Sequence, residues 1–348
     1  MIISYFRSSS FNCHDFCPMQ YFGTYVLGHT DKSGFKALKG TICHKVLEML
    51  ALIKKAEQDK KKHVIDTDVF GKKTLKSLQK MSVDNITEEA YHHYSTHATH
   101  HIWKLIDLRD CKLWVNKTIT LNGGMFDPRN RTIVAAEPSF DFEVQEDWAK
   151  FKQEENGKIV TKRLALKGTI DLITEISPGF LEIIDWKTGR RLDWATGKEK
   201  TYDSLMTDPQ LRIYHYAAQQ LYPNAENIMI TIYFINDGGP FSMSFSKKDL
   251  TFTKDMLKKK FEQIKATTIP RLNKTWKCQK LCHFGKNTFE NPKIETRTGQ
   301  FTKPGQPMTM CQELDYMVKT KGLDWVTTNY KKEGHEIGTY KAPGATDD

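Results

Sequence analysis

Apolar positions recur at helical spacing from Gly40 to about Ala56, where Ile42, Val46, Met49, Leu50 and Ile53 form one stripe. The run that follows, residues 54–63, is charged and reads as a helix end passing into a solvated loop. Residues 85–110 predict a second long helix, opened by Asn85 with Glu88 and Glu89 in its first turns. The middle of the chain changes period. Thr132 to Ala136 is a short apolar run leading into Glu137, and residues 163–176 alternate with period two over much of their length. After Ser177-Pro178-Gly179 comes a further strand, FLEIIDWKTG. Residues 208–221 then predict an amphipathic helix with Asp208 and Pro209 at its start. Residues 228–235 read as a buried strand, turned by Asp237-Gly238-Gly239-Pro240 into a partner strand FSMSFS, and residues 247–266 as a basic helix. Beyond Trp276 the pattern breaks into a Cys-bearing segment with a loose tail.

The fold class expected from this order is α/β, a mixed central sheet flanked by helices. The expected organisation is an N-terminal helical region (1–125), an α/β core (126–266), an irregular Cys-bearing C-terminal module (267–333) and a tail (334–348).

The second strand of the 163–187 hairpin concentrates the chemistry. Its alternate positions place Leu181, Ile183, Asp185 and Lys187 on one side and Phe180, Glu182, Ile184 and Trp186 on the other. Large apolar groups on both sides predict a central strand, in which Asp185 and Lys187 are not a solvated face. If Ser177-Pro178-Gly179 is the loop, Ile176 pairs with Phe180 and Asp171 faces Asp185, with Cβ atoms ~4.5–5.5 Å apart. Two carboxylates that close repel, and a divalent cation removes the conflict. Acidic ligands beside an amine suit metal-assisted phosphoryl transfer. The bland alternative is a buried Asp–Lys ion pair next to an incidental Asp.

Composition adds a partner. The 348 residues carry 52 Lys and Arg against 42 Asp and Glu, a formal charge of +10, which suits a polyanion such as nucleic acid. No apolar run approaches the ~20 residues that span a bilayer, and the opening segment lacks the pattern of a signal peptide. An intracellular, reducing setting is therefore expected, with no membrane partner. Seven cysteines, an odd number, argue for free thiols or metal ligands rather than a secreted disulfide framework.

GTID at 168–171 followed by EIIDWKTG at 182–189 resembles the core of the PD-(D/E)XK nuclease superfamily, with its restriction-endonuclease-like fold. The nearer likeness is to the RecB-type exonuclease branch, including CRISPR-associated RecB-like and phage relatives. The resemblance implies Asp171, Asp185 and Lys187 as the catalytic set. It also implies Mg²⁺ or Mn²⁺ held by Asp171, Asp185 and the Trp186 carbonyl. GTICHKVLE at 40–48 resembles the family's N-terminal helix, whose His binds metal. A helical wheel puts His44 opposite the Ile42/Val46/Leu50 stripe with Glu48 beside it, so His44 is a ligand or an ordinary exposed histidine. DPQLRIYHYAAQQLY at 208–222 resembles the Q-x-x-x-Y helix that borders the active site and touches DNA. Gln210 and Tyr214 share a face there, with core packing as the other reading of Tyr214. Glu137 matches a Glu ligand of some relatives and equally reads as a strand-end acid.

Several RecB-type nucleases bind an iron–sulfur cluster through one early and three late cysteines. Cys17, Cys278, Cys282 and Cys311 match that order, although the late gaps of three and twenty-eight residues depart from the usual close spacing. Four thiolates suit a [4Fe–4S] cluster or a structural Zn²⁺. The five histidines of residues 92–101 lack HExxH and read as a polar helix face, with His93, His97 and His101 in line. Lys258-Lys259-Lys260 either contacts a DNA backbone or forms a solvated face.

The implied activity is a deoxyribonuclease, an exonuclease acting on DNA ends or single strands in recombination, repair or phage DNA metabolism. A helicase or recombination partner goes with it, as does a cytoplasmic location, bacterial or in the host of a phage. A structure-selective endonuclease and a non-catalytic nucleic-acid-binding subunit on a nuclease-like scaffold remain the alternatives.

Overall fold

A computed structural model describes residue 1 and residues 5–30, 34–60, 64–155, 158–193, 196–294 and 307–335. The elements used below are helices α1 (Ser8–Phe16), α2 (Phe35–Asp59), α3 (Val83–His97) and α4 (Leu105–Thr120), then strands β1 (Thr132–Ala136), β2 (Ser139–Glu143), β3 (Ala165–Thr169), β4 (Leu172–Ser177) and β5 (Phe180–Lys187). They continue with α5 (Pro209–Leu221), β6 (Asn227–Phe234), β7 (Gly239–Phe245), α6 (Asp249–Lys265), α7 (Met310–Lys321) and α8 (Leu323–Tyr330).

Five strands form the central sheet in the order β7-β6-β5-β4-β1. β5 and β6 run parallel and the other neighbours antiparallel, so the sheet is mixed as expected. A parallel pair needs a crossover, and α5 supplies it. Asp208 caps that helix by accepting from the Gln210 N–H at 2.8 Å, with Pro209 in the first turn. β5 is the middle strand, and both its faces are covered. Leu181 and Ile183 join the apolar cluster that contains α5 and α6 residues such as Leu211 and Phe261. Ile184 and Trp186 join the cluster built on α2, with Val46, Leu47 and Leu50. The period-two alternation of β5 thus became two cores, one on each side of the sheet.

Several expectations change in detail. The alternating run at 163–176 is two strands in different sheets. β3 pairs with β2 and with Tyr5–Phe6, whereas β4 pairs with β5 and β1. The chain switches sheets at Ile170-Asp171, which alternation cannot register because both strands carry it. The β4–β5 turn has two central residues, Pro178 and Gly179, not three. Gly179 has φ +77°, the left-handed conformation that glycine adopts without penalty. Phe180 pairs with Ser177, and an irregularity at Ile176 then brings Leu181 opposite Glu175. That compensating slip restores the expected register, and Ile184 pairs with Leu172 at the last rung. The helix expected over 85–110 is α3 and α4, separated at residues 98–104. Ser82, not Asn85, caps α3, accepting from the Asn85 N–H at 3.1 Å. Because α3 ends at His97, His101 is not on its face. His93 and His97 stack with ring centroids 4.4 Å apart. The Cys-bearing C-terminal region is not wholly irregular, since α7 and α8 pack on the larger core through Leu314 and Val326. The expected loose tail lies largely outside the described residues. Among the described residues no helix is long and apolar enough to cross a membrane.

Candidate active site

The site forms where β5 emerges from the sheet toward α2 and α5. Its local causes are readable residue by residue. Asp171 stands one residue before β4, at the point where the register would place it opposite Asp185. Its carboxylate accepts the Trp186 N–H at 2.9 Å, so the two strand ends are tied across the hairpin. Glu137 closes the other side. Just past β1, its backbone N–H donates to the Asp171 carbonyl at 3.0 Å while its own φ is +44°, an uncommon conformation for a side-chain-bearing residue.

His44 arrives from α2. Its Nδ1 lies 3.4 Å from Asp171 Oδ2, and about a quarter of the side chain is exposed. The approach depends on Gly40, one turn earlier. A Cβ at that position would come within 2.7 Å of Thr188 Oγ1, so glycine lets the helix close on the end of β5. His44, Gly40, Lys45, Glu137, Trp186 and Lys187 share one cleft of about 350 Å³. The helical wheel therefore placed His44 correctly off the apolar stripe.

Asp185 is fully buried. Lys187 Nζ lies 2.8 Å from its Oδ1 and 2.6 Å from its Oδ2, yet Oδ2 has no hydrogen bond of acceptable geometry. Gln210 of α5 donates to Asp185 Oδ1 at 3.1 Å and to the Tyr214 hydroxyl at 2.8 Å. Gln210 and Tyr214 thus reach the same carboxylate from one helix face, and Tyr214 is buried among the core residues, as its packing reading had it.

The electrostatics describe an acidic pair offset by the chain's own cations. Burial drives the Asp185 carboxyl up, Lys187 opposes, and the neighbouring Asp171 adds to the rise, leaving it at about 6. Burial also works against the Asp171 carboxylate, but His44, Lys187 and the Trp186 N–H outweigh it and hold its pKa below the usual range. His44 and Lys187 both move up: burial disfavours their charged forms, and the two aspartates more than compensate.

The donor set fits a hard divalent cation. It offers two carboxylates, one with an orphaned buried oxygen, and an imidazole within reach of the other. As the side chains stand, no three His, Cys, Asp or Glu side chains among the described residues gather closely enough to hold a metal. Lys187 sits on one acid and His44 on the other.

Glu137 is at the cleft but points into a second network. Lys45 bridges Glu137 at 3.0 Å and Glu48 at 2.9 Å. Burial, with Glu137 adding to it, pushes the Glu48 carboxyl up to about 7. Sequence reasoning missed Lys45, whose only signal was its place beside His44. It also missed the segment after Lys187, where Arg191 stacks on Phe241 and its backbone N–H donates to Asp237 at 2.7 Å.

Cys17, Cys278, Cys282 and Cys311, matched by order, all line one cavity of about 500 Å³, but as their side chains stand no three of them gather closely enough to hold a metal or cluster. All seven cysteines are free thiols. Burial and the neighbouring cysteines push the Cys282 and Cys311 thiols up. One residue of the basic segment is corrected, while Lys258 and Lys259 are exposed. Lys260 is buried against Asp15 and over the Phe11 ring, so it bridges α6 to α1 and is not free for a DNA backbone.

A family model described as the PD-(D/E)XK nuclease superfamily matches residues 8–286 of this chain. Among solved structures, the chain is similar to one described as "Crystal structure of SSO0001", at 16% identity over 55% of this chain and 75% of that one, with a TM-score of 0.24. A likeness that loose carries no argument. No curated protein matches.

Proposed function

The chain belongs to the PD-(D/E)XK nuclease superfamily, and from that premise we propose that it hydrolyses DNA phosphodiester bonds at a centre formed by Asp171, Asp185, Lys187 and His44. The observation that carries the reading is the meeting of a buried acid, Asp185, and a half-buried one, Asp171, across the β4–β5 hairpin with an amine 2.8 Å from the first. Members of this superfamily use Mg²⁺ or Mn²⁺. Asp171, Asp185, His44 and the Trp186 carbonyl would hold the cation, which when bound polarises the phosphate and acidifies water.

The chain's own residues do the rest. Lys187, which now engages Asp185, would orient the attacking water and offset charge building on the phosphate. Gln210 holds the Asp185 carboxylate in place, and the Trp186 N–H does the same for Asp171. Gln210, half-buried on α5, would border the DNA, with the buried Tyr214 hydroxyl held behind it. Glu137 is the less favoured ligand, since Lys45 already engages it.

The finer reading is an exonuclease acting on DNA ends or single strands, in recombination, repair or phage DNA metabolism, in the cytoplasm and with a helicase or recombination partner. It rests on the RecB-type motif order. A structure-selective endonuclease is the competing assignment. Presence of both acids and the lysine disfavours a non-catalytic subunit. A [4Fe–4S] cluster on Cys17, Cys278, Cys282 and Cys311, with structural Zn²⁺ as the alternative, rests on the order of these cysteines and their common cavity; the thiols would have to draw closer than they now stand to hold either. Brown protein with broad visible absorbance supports the cluster, and colourless, metal-free protein from anaerobic purification removes it.

The test is cleavage of end-labelled single- and double-stranded DNA with Mg²⁺ and Mn²⁺. Asp185→Ala and Lys187→Ala are expected to abolish cleavage while DNA binding survives. Full activity in either variant removes the centre, and cutting of a circular substrate reassigns the enzyme as an endonuclease.

A further inference from the structure

Outside the nuclease centre and the cysteine cavity, the C-terminal region and the Gly28–Thr30 segment enclose a third cavity of about 580 Å³. That volume is within the range of sites that take small ligands. Its chemistry differs from both others. The lining carries exposed Lys293, Lys331 and Lys332 together with His29, against one acid, Glu290.

The aromatic part of the wall is ordered. The half-buried Phe289 ring lies 5.3 Å from the His29 ring and 5.1 Å from the Tyr330 ring. Tyr330 is itself fixed, because its hydroxyl donates to the buried Glu313 at 2.5 Å and its carbonyl lies 2.7 Å from His29 Nε2. Two of the lysines are tied to the fold by their backbones. The Lys293 N–H donates to Glu313 Oε1 at 2.8 Å and the Lys332 N–H to the Leu27 carbonyl at 2.8 Å. These bonds fix where the side chains start; the Lys293 ammonium itself lies over the Tyr330 ring, 5.3 Å from its centroid, on the same wall. Burial lowers the His29 pKa, and Lys332, His283 and His335 push it the same way, which marks a concentration of positive charge.

Exposed cations gathered beside a half-buried aromatic ring match a phosphate and an unstacked base. We propose that this cavity is a second binding site for single-stranded DNA, remote in sequence from the catalytic residues. Lys293, Lys331 and Lys332 contact phosphates there, and a base packs on Phe289. The proposal rests on the reading of the chain as a DNA nuclease and names where that enzyme holds a strand it is not cutting. A duplex keeps its bases stacked and gains only the phosphate contacts, so the cavity favours single strands.

The experiment is fluorescence anisotropy of labelled oligo(dT) with the full chain in chelator, over a series of salt concentrations. A duplex of equal length and free dTMP serve as competitors. The variants are Lys331→Gln with Lys332→Gln, Lys293→Gln, and Phe289→Leu, with melting temperatures recorded for each. Each lost lysine contact is expected to lower the slope of log affinity against log salt by about 0.7. Phe289→Leu is expected to weaken oligo(dT) by roughly five- to a hundredfold and the duplex far less. Hydrolysis of bis(p-nitrophenyl) phosphate, too small to span both sites, is expected to be unchanged in all variants.

Unchanged affinity and slope in the folded variants overturn the second site while leaving the nuclease reading intact. Equal losses for strand and duplex, or displacement by dTMP alone, overturn its assignment to a single strand. A wild-type chain that neither binds DNA nor hydrolyses the small diester overturns both readings.

Discussion

Gly40→Ala is the perturbation that most sharply separates position from stability. In an exposed helix interior alanine exceeds glycine by ~1 kcal/mol, so propensity alone predicts a gain. The structure predicts otherwise. The added Cβ would stand 2.7 Å from Thr188 Oγ1, about 0.7 Å inside the 3.4 Å at which ordinary contact begins. Thr188 has little freedom to retreat. Its carbonyl accepts from the Asn236 side chain at 3.2 Å, the preceding Lys187 carbonyl accepts from the Ile235 N–H at 2.9 Å, and its branched side chain is stiff at χ1. The remaining response is a shift of α2 away from the end of β5, by a few tenths of an ångström to ~0.7 Å. His44 lies one turn on from Gly40 and moves with it, away from Asp171. Misplacement on the order of 1 Å can cost ~100-fold in rate. The expected result is a loss of about ten- to a hundredfold in kcat/KM for DNA, with melting temperature within a few degrees of wild type. Adding Thr188→Ala to the same chain removes the obstructing hydroxyl and is expected to recover most of the activity. A Gly40→Ala chain with full activity and a raised melting temperature would show that this contact does not set the site.

Two further outcomes follow from buried charge. Arg131 pairs with Glu182, which is 3% exposed on β5 and also accepts from the Thr231 hydroxyl at 2.6 Å. Arg131→Met strands that carboxylate and is expected to cost ~3–5 kcal/mol in denaturant unfolding, whereas Arg131→Met with Glu182→Leu should lose much less; equal losses would contradict the pairing. His14 and His215 are buried with neither ring nitrogen hydrogen-bonded among the described residues, and burial lowers each to about 4. The unfolded chain takes up those protons near 6.5, so it binds more protons between the two values. Stability is therefore fully present above about pH 6.5 and declines as pH falls toward 4. His215→Phe, stacked on Phe245 in place of the imidazole, should flatten part of that decline, and an identical pH profile would count against the assignment.

The site was legible where chemistry and periodicity coincide. β5 showed itself as central because Leu181 and Ile183 alternate with Ile184 and Trp186, and this alternation also placed Asp185 and Lys187 together. The register that brings Asp171 toward Asp185 was right for a reason that sequence did not supply, since a two-residue turn and a slip at Ile176 offset each other. The stripe of α2 located His44, but the role of Gly40 depends on a strand end 148 positions away in the chain, which no local pattern encodes. The same holds for Lys45 and Glu137, and for Lys260, whose partner Asp15 removes it from the surface. Breaks inside periodic stretches were the other loss. Residues 163–176 keep one alternation across two sheets, and residues 85–110 keep one helical pattern across α3 and α4.

Direct binding of Mn²⁺, followed by calorimetry and by electron paramagnetic resonance without DNA present, tests the shared-cation centre most closely. Wild-type protein is expected to bind the ion, His44→Ala to bind it more weakly, and Asp171→Asn and Asp185→Asn to lose it, each variant remaining folded. Binding of equal affinity in the two asparagine variants would contradict a cation held between those acids.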